Sequence, residues 1–204
     1  MKQIFSRIMY LVSRAVTKPE RAFSAIASYN PVLDVVFVAT TGAVWTLLWA
    51  AFVLARDLFH MTPVVFLERL ALALVGYVAA IVILALYGFL VSVTATLLGG
   101  KARLLPTVLA FILTGSIALA ITAVPITVIK FVDFGEQMTP VSRSIISVGP
   151  WVYIMILLYL ATLKIHKTVA PRAVAYLGLA ALPLVLLLVL IYRYGPIAVP
   201  IGHG

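Results

Sequence analysis

One stretch limits this chain more than any other: from Leu70 to Gly100 it reads LALALVGYVAAIVILALYGFLVSVTATLLGG, without a single formal charge. As a helix that run would rise about 45 Å, more than the roughly 30 Å of a bilayer's hydrocarbon core. Lipid offers the backbone no hydrogen-bond partner, so a run of this kind crosses as a helix that satisfies its own amides and carbonyls. The rest of the chain agrees. It is 64% hydrophobic and 10% charged over 204 residues, with a mean hydropathy of +1.19, which leaves too few polar side chains to cover a soluble surface. The reading is an integral membrane protein. The absence of cysteine removes disulfides, thiol catalysis and Cys-based metal sites from consideration.

Five segments meet the span requirement of about 20 apolar residues. They cover about 35–55, stopping at Arg56-Asp57, then about 70–98, 104–129, 144–163 and 173–192. Gly149-Pro150 lies within the fourth, which is read as one kinked span. Ahead of the first span, MKQIFSRIMYLVSRAV repeats apolar residues at helical spacing, Phe5 and Ile8 among them, with Lys2, Arg7 and Arg14 on the other side. Such a helix lies in the membrane interface with its cations toward the head groups, and Lys18 and Arg21 extend that basic edge. Arg7 and Arg14 interrupt any secretory h-region. TKPE then pairs Thr17 with Glu20 as a capping box, with Pro19 in the first turn of a second short helix, PERAFSAIASY, that ends before Asn30-Pro31. The expected fold is all-α: two short amphipathic, interfacial helices in residues 1–31, then one domain of five transmembrane helices in residues 32–204.

Charge sets the expected orientation. Alternating sides place Lys2, Arg7, Arg14, Lys18, Arg21, Lys101, Arg103, Lys164, Lys167 and Arg172 together, ten of the 15 basic residues. The positive-inside rule puts that side, and the N-terminus, in the cytoplasm and the C-terminus outside a multi-pass cell-membrane protein. The short-loop cations Lys101, Arg103, Lys164, Lys167 and Arg172 are topology signals first, with no acid beside the last three. They also make a cytoplasmic basic surface for anionic lipid head groups or an acidic partner, each cation contributing about 1 kcal/mol near a charged leaflet. His166, in the same loop, is read as solvated.

Catalytic chemistry has no visible footing. The six acids fall in loops or at span ends and the three histidines on separate segments, so neither a carboxylate pair nor a metal or nucleophile set assembles at one depth. GGK at Gly99 to Lys101 lacks the spacing and following hydroxyl of a phosphate loop. No enzyme, cofactor, metal or nucleic-acid partner is expected. Gly88, Ser92 and Thr96 form a small-residue stripe on which another helix can pack closely, between protomers or with a partner. Pro125 and Pro183 free carbonyls at Ile121 and Leu179, and a groove near them is the basis of an alternative reading as a small permease or lipid-handling protein.

KPERAFSAI before the first span, LLGGKARLLPTVLAFILTG at Leu97 to Gly115, and WVYIMILLYLATLKIHKTVAPRAVAYL resemble, in this order, segments of the Yip domain family, the Ypt/Rab-interacting multi-pass membrane proteins with prokaryotic members. Pro19 and Phe23 match that family's short N-terminal pattern. The resemblance implies a non-enzymatic membrane protein with a cytosolic N-terminus that works through partners, often as a homo- or hetero-oligomer. Eukaryotic members carry a long polar N-terminal region implicated in small-GTPase contact, for which residues 1–31 offer no counterpart, so GTPase binding is not carried over. The function expected is that of a membrane-organising or partner-binding scaffold, with membrane lipids, a protein partner or a second copy as its contacts.

Overall fold

The computed structural model describes residues 13–14, 17–28, 32–55, 62–101, 103–131 and 140–194. They form an all-α bundle: α1 Pro19–Ser28, α2 Val32–Ala55, α3 Pro63–Leu97, α4 Leu104–Phe131, α5 Pro140–His166 and α6 Ala170–Tyr194. The first of the two expected short helices, with Lys2, Phe5, Arg7 and Ile8, lies outside the described residues. The other is α1.

Helix ends follow local chemistry. Thr62 caps α3, its hydroxyl oxygen accepting from the Val65 amide at 3.4 Å, with Pro63 in the first turn. At the other end the Gly99 and Gly100 amides donate to the carbonyls of Thr96 and Ala95, at 3.1 and 2.8 Å. Gly99 sits at φ +78, so GGK is a Schellman stop that needs a left-handed glycine. α5 ends in the same way with a lysine in that role: Lys167 has φ 47, and the Thr168 amide reaches the Leu163 carbonyl at 3.3 Å. α5 runs unbroken through Gly149-Pro150.

The expected capping box does not form. The Thr17 hydroxyl donates back to the Ser13 carbonyl at 2.7 Å, and the Lys18 amide to Arg14 at 2.8 Å. Thr17 is itself helical, so it does not hold the extended N-cap conformation that a capping box needs.

α4 is the centre of the bundle, packed against α1, α2, α3 and α5, while α6 covers α3 and α5. Thr107, Ala110, Phe111, Leu113 and Ala118 of α4 are fully enclosed. Gly88 brings α3 onto α4 so closely that an added Cβ would lie 3.1 Å from the Phe111 Cβ and 3.2 Å from the Val108 Cα. Two tyrosine hydroxyls tie α3 to its other neighbours, Tyr77 donating to the Ala39 carbonyl of α2 and Tyr87 to the Leu177 carbonyl of α6, each at 2.8 Å.

The outward faces are apolar. Val75, Val82, Leu86 and Phe89 of α3 are exposed, as are Leu182, Val185, Leu186 and Val189 of α6 and Trp45, Leu48 and Phe52 of α2. Apolar patches of that extent are stable against lipid and not against water. Among the described residues three helices are long and apolar enough to cross a membrane, over Val32–Phe52, Pro63–Leu97 and Ala170–Leu187. α4 and α5 contribute shorter apolar stretches, Leu104–Leu119 and Trp151–His166. The five spans and two short helices of the sequence reading are thus matched in part.

Candidate functional site

The connections of the bundle bring the basic residues to one end. α3 ends and α4 begins there, α5 ends and α6 begins there, and α1 folds over it. The amphipathic face of α1 is covered by protein: Ala22, Phe23 and Ile26 are buried against α5 and α4. This corrects the expectation that its apolar side rests in lipid, because α5 and α4 supply a closer apolar partner. Lys18, Glu20 and Arg21 point outward as a result. Pro19 opens α1, and Phe23 is its deepest anchor, 1% exposed.

Three further contacts sew this end together. Lys164 Nζ meets Glu20 Oε2 at 2.7 Å, so one cation of the α5–α6 connection does have an acid beside it, delivered from α1 and invisible as a neighbour in sequence. Both side chains remain well exposed, and the pair adds little to stability. Arg103 Nη1 donates to the Ala27 carbonyl of α1 at 3.4 Å. His166 is the third, and it is buried, contrary to its expected solvation. Its Nδ1 lies 3.3 Å from the Lys101 carbonyl oxygen, its Nε2 3.1 Å from Thr107 Oγ1, and its ring edge-on to Tyr176. The helix carries it one turn past Leu163, into the gap between the two hairpin turns. Burial lowers the pKa of this imidazole from its ordinary 6.5; the Lys101 carbonyl opposes that shift and the Arg103 charge adds to it.

The remaining basic residues differ in exposure. Lys101, Lys167 and Arg172 are exposed, Arg103 is half-buried, and Arg14 is half-buried just ahead of α1. The cations on helix ends at the opposite side are Arg69, Lys130, Arg143 and Arg193, with Glu68 beside the first in sequence. The structure therefore gathers Arg14, Lys18, Arg21, Lys101, Arg103, Lys164, Lys167 and Arg172 at a single end.

The small-residue stripe divides. Gly88 and Ser92 are buried against the chain's own helices, whereas Thr96 is exposed and its hydroxyl donates to the Ser92 carbonyl at 2.9 Å. Two of the three positions serve the fold of one chain. Pro183 faces outward from α6, and the side chain of Pro125 lies outside the described residues. Among the described residues no three His, Asp or Glu side chains come together as a metal site would require. The sequence reading missed Glu20, Thr107 and Tyr176 as members of this end, and the only local hint was a histidine closing an apolar helix. The bundle is all-α, with three helices among the described residues long and apolar enough to cross a membrane. Comparison with family models, with curated proteins and with solved structures finds no match.

Proposed function

We propose that this chain is a non-enzymatic, five-span protein of the cell membrane, with the basic end and N-terminus in the cytoplasm, that organises lipid or a protein partner through that end. The observation that carries the reading is the gathering of eight described cations at the end where α1 docks, against a bundle whose outward faces are apolar. Cations at that density attract an anionic leaflet, and they bias insertion so that the basic end stays inside. Each of α2 to α6 has at least 24 residues, about 36 Å or more of helix, which supports a crossing by all five. The likeness of the N-terminal and hairpin segments to the Yip domain family points to the same scaffold role.

Orientation is tested with single cysteines at Ser6, Thr62, Ala102, Thr139, Thr168 and Ala198 and an impermeant thiol reagent on intact cells, since the chain has no cysteine of its own. Labelling is expected at 62, 139 and 198 only. Labelling at 6, 102 or 168 overturns the orientation. The scaffold role is tested in sealed liposomes: selective enrichment of anionic lipid around the protein supports it. Protein-dependent flux of ions, solutes or labelled lipid replaces it with the permease reading.

A further inference from the structure

The turns closing the α3–α4 and α5–α6 hairpins meet on the basic end. Gly100 lets them approach: a Cβ there would lie 2.8 Å from the Ala95 carbonyl oxygen and 3.1 Å from the Tyr176 hydroxyl of α6. His166 bridges them as well, its Nδ1 lying 3.3 Å from the Lys101 carbonyl oxygen. Three cations border that junction. Lys101 follows Gly100 in one turn, Lys167 follows His166 in the other, and Arg172 stands one helical turn ahead of Tyr176; all three are exposed. Two neighbouring cations are drawn away to α1, Lys164 by Glu20 and Arg103 by the Ala27 carbonyl. With Glu20 engaged in that pair and Asp34 buried on α2, the junction presents positive charge.

The same junction exposes apolar side chains. Leu97 is 80% and Val169 62% exposed. Leu97 and Leu98 run directly into Gly99-Gly100-Lys101, and Val169 lies between Lys167 and Arg172. A soluble anion or an acidic peptide would meet the cations and leave these side chains in water. A phospholipid meets both, its phosphate on the cations and its acyl chains on the apolar residues. Lys167 points the same way, because its φ of 47 is a left-handed backbone that glycine fits better, and the lysine holds a charge at the junction at a cost to the fold. Three cations match a doubly charged headgroup better than a singly charged one. We propose that the junction of the two hairpin turns is a discrete site for one anionic phospholipid with a doubly charged headgroup, held by Lys101, Lys167 and Arg172. This rests on the reading that the basic end works on lipid, and it names the lipid.

The test is native mass spectrometry of the full chain in detergent, titrated with dioleoyl phosphatidic acid, phosphatidylglycerol and phosphatidylcholine. These share their chains and carry about two, one and no net negative charges at about pH 8. One bound phosphatidic acid is expected first, ahead of phosphatidylglycerol, with phosphatidylcholine last. Lys101→Gln, Lys167→Gly and Arg172→Gln should each weaken it about fivefold. Lys167→Arg should retain it, and the α1 pair Lys18→Gln, Arg21→Gln should leave it unchanged. Lys167→Gly gives the sharpest contrast, since it should raise the unfolding temperature while weakening the lipid, whereas damage to the fold would lower both. An equal loss from the α1 pair, no loss from the three junction variants, or equal affinity for phosphatidylglycerol overturns the site and leaves the lipid-organising role standing. Phosphatidylcholine bound as well as both anionic lipids overturns the site and that role together. Displacement of the lipid by glycerol phosphate or by a polyglutamate peptide at equal concentration replaces it with a soluble anion or an acidic protein.

Discussion

Lys167 holds the left-handed position that ends α5, where its Cβ crowds the backbone and glycine would not. Left-handed backbone disfavours an ordinary side chain by about 1–2 kcal/mol, part of which glycine returns through a freer unfolded chain. Lys167→Gly should therefore raise the unfolding temperature, by the equivalent of about 1 kcal/mol, and Lys167→Val should lower it; both are measured by thermal unfolding in detergent. Gly88 makes the opposite case. Its Cα hydrogens face Phe111 and the Val108 backbone, so Gly88→Leu should destabilise the monomer by about 3 kcal/mol or more through overpacking. Unfolding of the purified variant checks the magnitude. A variant of unchanged stability and altered oligomeric size would return Gly88 to an interface between chains.

Among the elements, α1 depends on one aromatic anchor. Phe23 and Ile26 are enclosed, whereas the Lys164–Glu20 pair on its rim is open to water. Phe23→Ala should cost about 3 kcal/mol and release α1 while α3 and α4 stay intact, visible as fast amide hydrogen exchange confined to residues 19–28. A double-mutant cycle on Glu20 and Lys164 should return less than about 1 kcal/mol. These contrasts also mark what could be read from sequence. The five long apolar segments and the short PERAFSAIAS helix were legible because hydrophobic periodicity and turn chemistry are local. Three things were not: that the apolar side of α1 meets α5 and α4, that Glu20 answers Lys164, and that His166 is enclosed. Each depends on which segments become neighbours across more than fifty residues of chain, a choice made by packing and carried by no local pattern. The capping box failed for a nearer reason, since Thr17 was itself helical and used its hydroxyl on Ser13.

At the level of the whole molecule, the charge asymmetry has a consequence for insertion. Replacing Lys164, Lys167 and Arg172 with Gln removes three of the eight described cations of the basic end, and a mixture of orientations is the expected outcome, read by the same cysteine labelling. Adding an Arg near Thr62 should worsen the mixture, and removing Arg69 should partly correct it. The length of α3 bears on where such a molecule settles. Its uncharged part, Leu70 to Leu97, extends about 42 Å, roughly 12 Å beyond an average hydrocarbon core. Tyr77 and Tyr87 pin that helix to both flanks of the bundle, so the excess is not relieved by unwinding. It is relieved by tilt, or by lipids that stretch to meet it. Stability should accordingly rise from thin to thick bilayers, read as the unfolding temperature in lipids of increasing chain length.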